Sequence, residues 1–259
     1  MIGLVLIFIG YPIYLVMKDT IIPTIMEIIG VSGRRKSHRP GQKKSPLVKD
    51  HTKDIVPAVV EVDPLFTNDK FIAFAKEVFL SIQYAWMDRN WKKTRPFIKD
   101  ELYRQYEMQL QRYIDDGKIN VIERININQC YLQKYVWDGD CEYLTVFLRV
   151  RMTDYIKDEK TGKVLKGSPD IDSYMEYLHT YMRKSGVFTN PEKSNRSTTN
   201  CPSCAAAVRI TSMGRCELCN STITTGEYDW VLSNIEAVKP GAVVDNTGVI
   251  IHGVRKKKK

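Results

Sequence analysis

DPLFTNDKFIAFAKEVFLSIQYAWMDRNWKKTRPFIKDELYRQYEMQLQ, residues 63–111, places Phe71, Phe74, Ala75, Val78, Phe79, Ile82, Ala85 and Trp86 at i, i+3, i+4, i+7 spacing. That periodicity makes one wide apolar stripe on a helix. Thr67 is the expected N-cap and Asp69 lies in the first turn, so the helix is predicted from about Asn68 to the Asp88-Arg89-Asn90 stop. Trp91 opens a second segment, with Pro96 at a tolerated helix start. Phe97, Ile98, Leu102, Tyr106, Leu110 and Tyr113 continue an apolar face to about Ile114, where Asp115-Asp116-Gly117 stops it. A stripe this aromatic requires a cover, because each large side chain buried contributes about 1.5–3 kcal/mol.

The cover lies downstream. Residues 119–136 read as a long, bent strand with Ile119, Val121, Ile125, Ile127 and Tyr131 on one parity, interrupted by Glu123 and Gln129. Asp138-Gly139 signals a hairpin. Residues 141–155 then set Leu144, Val146, Leu148, Val150 and Met152 on one face, against Arg149 and Arg151 on the other. A turn is expected over 159–167, a third strand over 172–183 and a fourth over 228–238. Antiparallel strands following a helical pair predict an α+β domain, a curved sheet wrapped on helices. A two-residue turn at Asp138-Gly139 would pair Cys130 with Phe147 and Cys141 with Val136, making both cysteines ordinary strand residues.

Residues 1–17 carry no charged side chain, and as a helix they reach somewhat short of the roughly 30 Å hydrocarbon core. No positive n-region precedes them and no small-residue cleavage site follows, so they are expected to be a retained transmembrane anchor; a buried core helix is the alternative. Residues 18–33, broken by Pro23, are expected at the interface. Residues 34–62 read as a basic flexible linker and 241–259 as a basic tail, with the folded domain over 63–240. Within the linker, residues 34–53 hold net +7, and residues 255–259 at the end of the tail +5, of the chain's +9, leaving the remainder at −3. The positive-inside rule places the domain in the cytoplasm, or in the matrix of a mitochondrion. Arg34, Arg35, Lys36, Arg39, Lys43, Lys44, Arg255, Lys256, Lys257, Lys258 and Lys259 are candidates for contact with anionic lipid, at about 1 kcal/mol each near a membrane surface; solvated charge that only fixes topology is the competing reading. A basic excess confined to the ends counts against a nucleic-acid-binding fold.

CPSCAAAVRITSMGRCELC, residues 201–219, carries two C-x-x-C knuckles with Cys201, Cys204, Cys216 and Cys219. Each knuckle aims two thiolates at one point, and zinc takes four such ligands near 2.3 Å, so a structural zinc ribbon is expected as an insert over 198–225 holding one ion. Four cysteines close the shell that a catalytic zinc would leave open. Disulfides suit an oxidising compartment, and a redox C-x-x-C needs a βαβ context that is absent. Only Arg209 and Arg215 between the knuckles are basic, which is thin for phosphate binding. No nucleophile elbow, P-loop or dinucleotide fingerprint is present. His38, His51, His179 and His252 do not cluster in the sequence.

Asp63-Pro64-Leu65-Phe66, the 71–86 segment ending in Ile82-Gln83-Tyr84-Ala85-Trp86, residues 88–95, the 158–167 turn and the Tyr- and Glu-bearing strand after it resemble the TIM-forty-four-like domain family. The resemblance covers about 63–183 and resumes at 226–238. It implies a cone-shaped fold like that of nuclear transport factor 2, helices on a curved antiparallel sheet around an apolar pocket, in a membrane-linked, non-enzymatic binding or scaffold protein whose partner is lipid or polypeptide. The four-cysteine insert departs from the family pattern, and the long N-terminal chaperone-recruiting region of the mitochondrial import scaffold is missing, so motor recruitment is not carried over. Phe74, Phe79, Trp86 and Tyr177 are the pocket candidates, equally suited to a plain core. An enzyme using the pocket is the rival, with Asp88, Tyr131 and His179 as its first residues to inspect.

Overall fold

The computed structural model describes residues 45–189 and 229–253, together with Cys201, Cys204, Ala206, Arg215, Cys216, 218–221 and Gly226 between them. The expected anchor and interfacial segment lie outside these residues. Among the described residues, no helix is long and apolar enough to cross a membrane.

Helix α1 spans Thr52–Val60, inside the stretch expected as flexible linker. The Asp50 carboxylate accepts the Thr52 backbone N–H at 2.9 Å, tying down an otherwise unpaired donor at the helix start. Ile55 and Val59, one turn apart, are buried. Pro57 within the helix is what makes the sequence read as linker there.

Helix α2 spans Asn68–Met87 and buries Phe71, Phe74, Ala75, Val78, Phe79, Ile82, Ala85 and Trp86, the stripe read from the spacing, plus Gln83. Thr67 is extended at the N-cap position, but its side chain makes no capping bond. The chain reverses at Arg89, a non-glycine residue at φ 53°, whose guanidinium donates to Glu159 and to the Lys118 carbonyl, both at 2.8 Å. A 3-10 turn follows at Trp91–Thr94.

Helix α3 spans Asp100–Asp115 and so begins later than the Pro96 start predicted. Phe97 to Lys99 are drawn out into extended pairing with strand β4, Val231–Ala237: Leu232 N donates to Phe97 O, and Lys99 N to Leu232 O, each at 2.8 Å. The tertiary ladder overrides the local helical pattern.

Strand β1 is Lys118–Trp137, β2 Cys141–Asp158, β3 Val164–Lys184 and β5 Val249–Ile251. The sheet order is β4-β3-β2-β1-β5, antiparallel except for the β1–β5 pair. Strand β5 lies in the expected tail; three residues are too few to declare an alternation.

Register corrects the β1 reading. Irregularities fall between Glu123 and Asn126, Ile127 and Gln129, and Leu132 and Lys134. Each extra residue reverses which parity faces the helices. Ile122, Ile125, Ile127, Cys130, Leu132 and Tyr135 therefore reach the core, whereas Tyr131 packs on the outer face with Phe147, Leu178, Val48 and Val238. The bulges also curl the sheet into a half-barrel around α2 and α3. At the hairpin, the Asp138 carboxylate accepts the N–H groups of Asp140 and Cys141 at 3.0 and 2.7 Å. Trp137 thus pairs with Glu142, leaving the four residues 138–141 between the paired positions. Cys130 consequently sits opposite Leu148, not Phe147, and Val136 opposite Tyr143, not Cys141, which pairs on its other side with Lys184 of β3. The two cysteines still do not face each other.

The expected α+β class is the observed one: helices on the concave face of a curled, largely antiparallel sheet, the cone of the nuclear-transport-factor-2-like folds.

Candidate functional site: a four-cysteine centre and the inner face of the cone

The two knuckles fold alike. Cys201 N donates to Ala206 O at 2.8 Å, and Cys216 N to Ser221 O at 3.0 Å, a five-residue reach in both cases. Asn220, at φ 57°, supplies the reversal in the second knuckle. These turns bring the Sγ atoms of Cys201, Cys204, Cys216 and Cys219 within 4.8 Å of one another. Cys201 Sγ lies 3.9 Å from Cys219 Sγ, and Cys204 Sγ 3.9 Å from Cys216 Sγ. Four sulfurs on a tetrahedron with 2.3 Å bonds stand about 3.8 Å apart, whereas a disulfide needs about 2.05 Å. The donor set therefore fits a metal ion bound by four thiolates. The side chain and then the backbone of Ser221 hold the Cys219 thiol down at about 6, toward the ligating form. Cys201 and Cys216 are buried while Cys204 and Cys219 are exposed, so one side of the centre faces solvent.

A buried charge cluster fixes the insert to the body. Arg183, at the end of β3, donates to Asp63 at 2.6 Å and to Glu142 of β2 at 3.1 Å, all three side chains being buried. Asp63 also accepts the Thr189 hydroxyl at 2.8 Å and the Thr189 N–H at 3.1 Å. The guanidinium stacks 4.4 Å over the Trp230 ring, and Lys184 N donates to Gly226 O at 2.9 Å. Both flanks of the insert are thereby held beside one arginine.

The four pocket candidates line the inner face and are packed into the main core. Phe79 lies 5.7 Å from Tyr177, Phe74 5.7 Å from Tyr181, and Trp86 sits edge-on to Trp91, Tyr106 and Tyr113. The enzyme constellation does not assemble. Asp88 is exposed at the end of α2 and pairs with Lys93, Tyr131 donates to the Val48 carbonyl on the outer face, and His179 lies on the inner face between Phe79 and Tyr177. Burial alone drives the His179 pKa down to about 3, so the ring is neutral. The lipid-contact candidates at 34–44 and 255–259 lie outside the described residues.

The structure adds a residue that the sequence reading did not reach. Asp154 continues the inner row of β2, Leu144, Val146, Leu148, Val150 and Met152, as a buried acid between Met152 and Ile156. Its Oδ1 accepts from Asn120 Nδ2 at 3.0 Å, while Oδ2 has no partner. Burial pushes its carboxyl up to about 7 against the pull of Asn120 and Lys166. Gly167 makes the site possible: at φ +81° it passes so close that a Cβ would stand 2.5 Å from the Asp154 carbonyl oxygen.

Comparison with protein families matches residues 53–195, more than half of the chain, to the Tim44-like domain. The chain belongs to the Tim44-like domain family. The match begins within α1, so the Tim44-like domain takes in the helix that composition assigned to the linker, and it ends just before the four-cysteine insert. No curated protein matches the chain.

Proposed function

We propose that this Tim44-like protein is a membrane-linked, non-catalytic binding or scaffold protein of protein transport whose cone faces the cytoplasm, or the matrix of a mitochondrion, and engages anionic lipid or a polypeptide. Family membership over 53–195 is the observation that carries this reading. The apolar run at 1–17 and the flanking cations supply its membrane arm. Flotation with liposomes tests that arm on a chain lacking residues 1–33. Binding should rise with anionic lipid content and fall when 254–259 are removed; indifference to both rejects lipid and leaves polypeptide as the partner.

The four cysteines hold one structural zinc ion in this reading, supported by the 3.9 Å sulfur separations. Cys201, Cys204, Cys216 and Cys219 would supply the complete shell, and the ion would fold the insert without taking part in a reaction. Elemental analysis should give one zinc per chain, falling to none in the Cys201→Ser, Cys216→Ser double variant. A zinc-free protein with unchanged protection of the insert from proteolysis refutes the assignment.

A further inference from the structure

The inner face of the cone is aromatic and aliphatic, yet four of the elements that form it each present a buried polar atom without a hydrogen-bond partner. These are Gln83 Oε1 on α2, Tyr106 Oη on α3, Asp154 Oδ2 on β2 and His179 Nδ1 on β3. All four side chains are at least 97 % buried relative to full exposure. An unsatisfied buried polar atom costs about 1–3 kcal/mol, so each of these four calls for a partner from outside the chain, water or a ligand.

Their chemistry is uneven. The carboxylate and amide oxygens are acceptors, the neutral His179 ring offers an acceptor nitrogen in one tautomer, and the tyrosine hydroxyl acts either way. Around Asp154 the walls are tyrosines: burial first, and the Asp154 charge after it, push up the hydroxyls of Tyr113 on α3 and Tyr177 on β3. Tyr113 also packs edge-on against Trp86, 5.5 Å away. Among the described residues, the cation that pulls on Asp154 is Lys166, more weakly than the Asn120 hydrogen bond does. An acid with a spare oxygen, further acceptors along the same face and ring walls make a setting that a compact cation with several N–H donors satisfies, by ion pairing, hydrogen bonding and cation–π attraction together. Opposite Asp154, β3 breaks register, since Thr153 pairs with Asp172 and Tyr155 with Gly167, leaving 168–171 looped out. Such bulges recur where a strand makes room beside a site.

We propose that the inner face of the cone binds a small, largely apolar molecule bearing one primary ammonium group, with Asp154, held by Asn120, as its counter-ion. This site is separate from the four-cysteine centre and from the basic ends.

The test is calorimetric titration of the full-length protein at pH 8 with straight-chain alkylammonium ions from butyl to decyl, each set against the alcohol of equal length. At least one ammonium should bind ten times or more tightly than its alcohol. Asp154→Asn should erase that preference while keeping zinc content and melting temperature at or above the parent values, and Tyr106→Phe should weaken binding severalfold. Equal binding of amine and alcohol overturns the proposal, as does a preference surviving in Asp154→Asn. Absence of binding across the series also overturns it, the spare acceptors then being served by buried water alone. None of these results bears on flotation or metal content, so the two readings stand or fall separately.

Discussion

Asp154 and His179 pull stability in opposite directions with pH. The native state keeps the Asp154 proton up to about 7, whereas the unfolded chain releases it near 3.8, so stability falls as pH rises through that window. His179 has the opposite sign: the unfolded chain takes up a proton below 6.5 and the native ring not until about 3, so stability falls as pH drops between those values. Between about 4 and 6.5 the two slopes offset each other. Asp154→Asn should therefore raise stability at pH 8.5, by up to about 4 kcal/mol, leave it nearly unchanged at pH 4, and uncover the His179 slope in between. Melting temperature against pH checks all three outcomes, and a variant that loses stability equally at both extremes refutes them. Trp86 belongs to the same scale. Packed against Trp91, Tyr106 and Tyr113, it should cost about 3–5 kcal/mol on truncation to alanine, measured by urea unfolding.

Among the elements, legibility followed length and repetition. Helix α2 was readable to within a residue or two because twenty residues repeat one stripe, and the cysteines because paired knuckles have few other uses. Helix α1 was hidden by its nine-residue length and Pro57, and β5 by having three residues. The β1 face was misjudged because a single bulge is invisible in composition yet inverts every side chain beyond it. Asp154 carried a usable signal: it is the acid that breaks an apolar alternation two residues after Met152. The Arg183 cluster joins 63, 142 and 183, a meeting only the fold brings about. Replacing Arg183 by Met leaves two buried carboxylates without their counter-ion and should cost about 3–5 kcal/mol. It should also loosen the insert flanks, detectable as faster amide exchange at Thr189. Unchanged exchange there would show that the flanks are held by other contacts.

For the whole molecule, the two ends of the folded body are fastened to each other. Asn246 accepts the Lys49 N–H at 2.8 Å and donates to the Leu47 carbonyl at 2.9 Å, and Gln133 donates to the Asp245 carbonyl at 2.6 Å. His51 N donates to Leu132 O, while Tyr135, Val136 and Trp137 pair with Val249, Ile250 and Ile251. Ending the chain at residue 240, where composition placed the start of the tail, should lower the melting temperature by several degrees; ending it at 253 should leave it within about a degree. Scanning calorimetry of the two truncations decides the matter.

Those fastenings also set where tension would run. The chain joins β1 near Leu132 at its entry and near Trp137 at its exit, points about 17 Å apart along one strand. A pull applied between the two ends of the folded body loads the Asn246 bonds and the short β1–β5 ladder. The line of force bypasses α2, α3 and the β2–β3–β4 ladder, so the inner face and the cysteine centre keep their geometry under a strain that would first part the two ends.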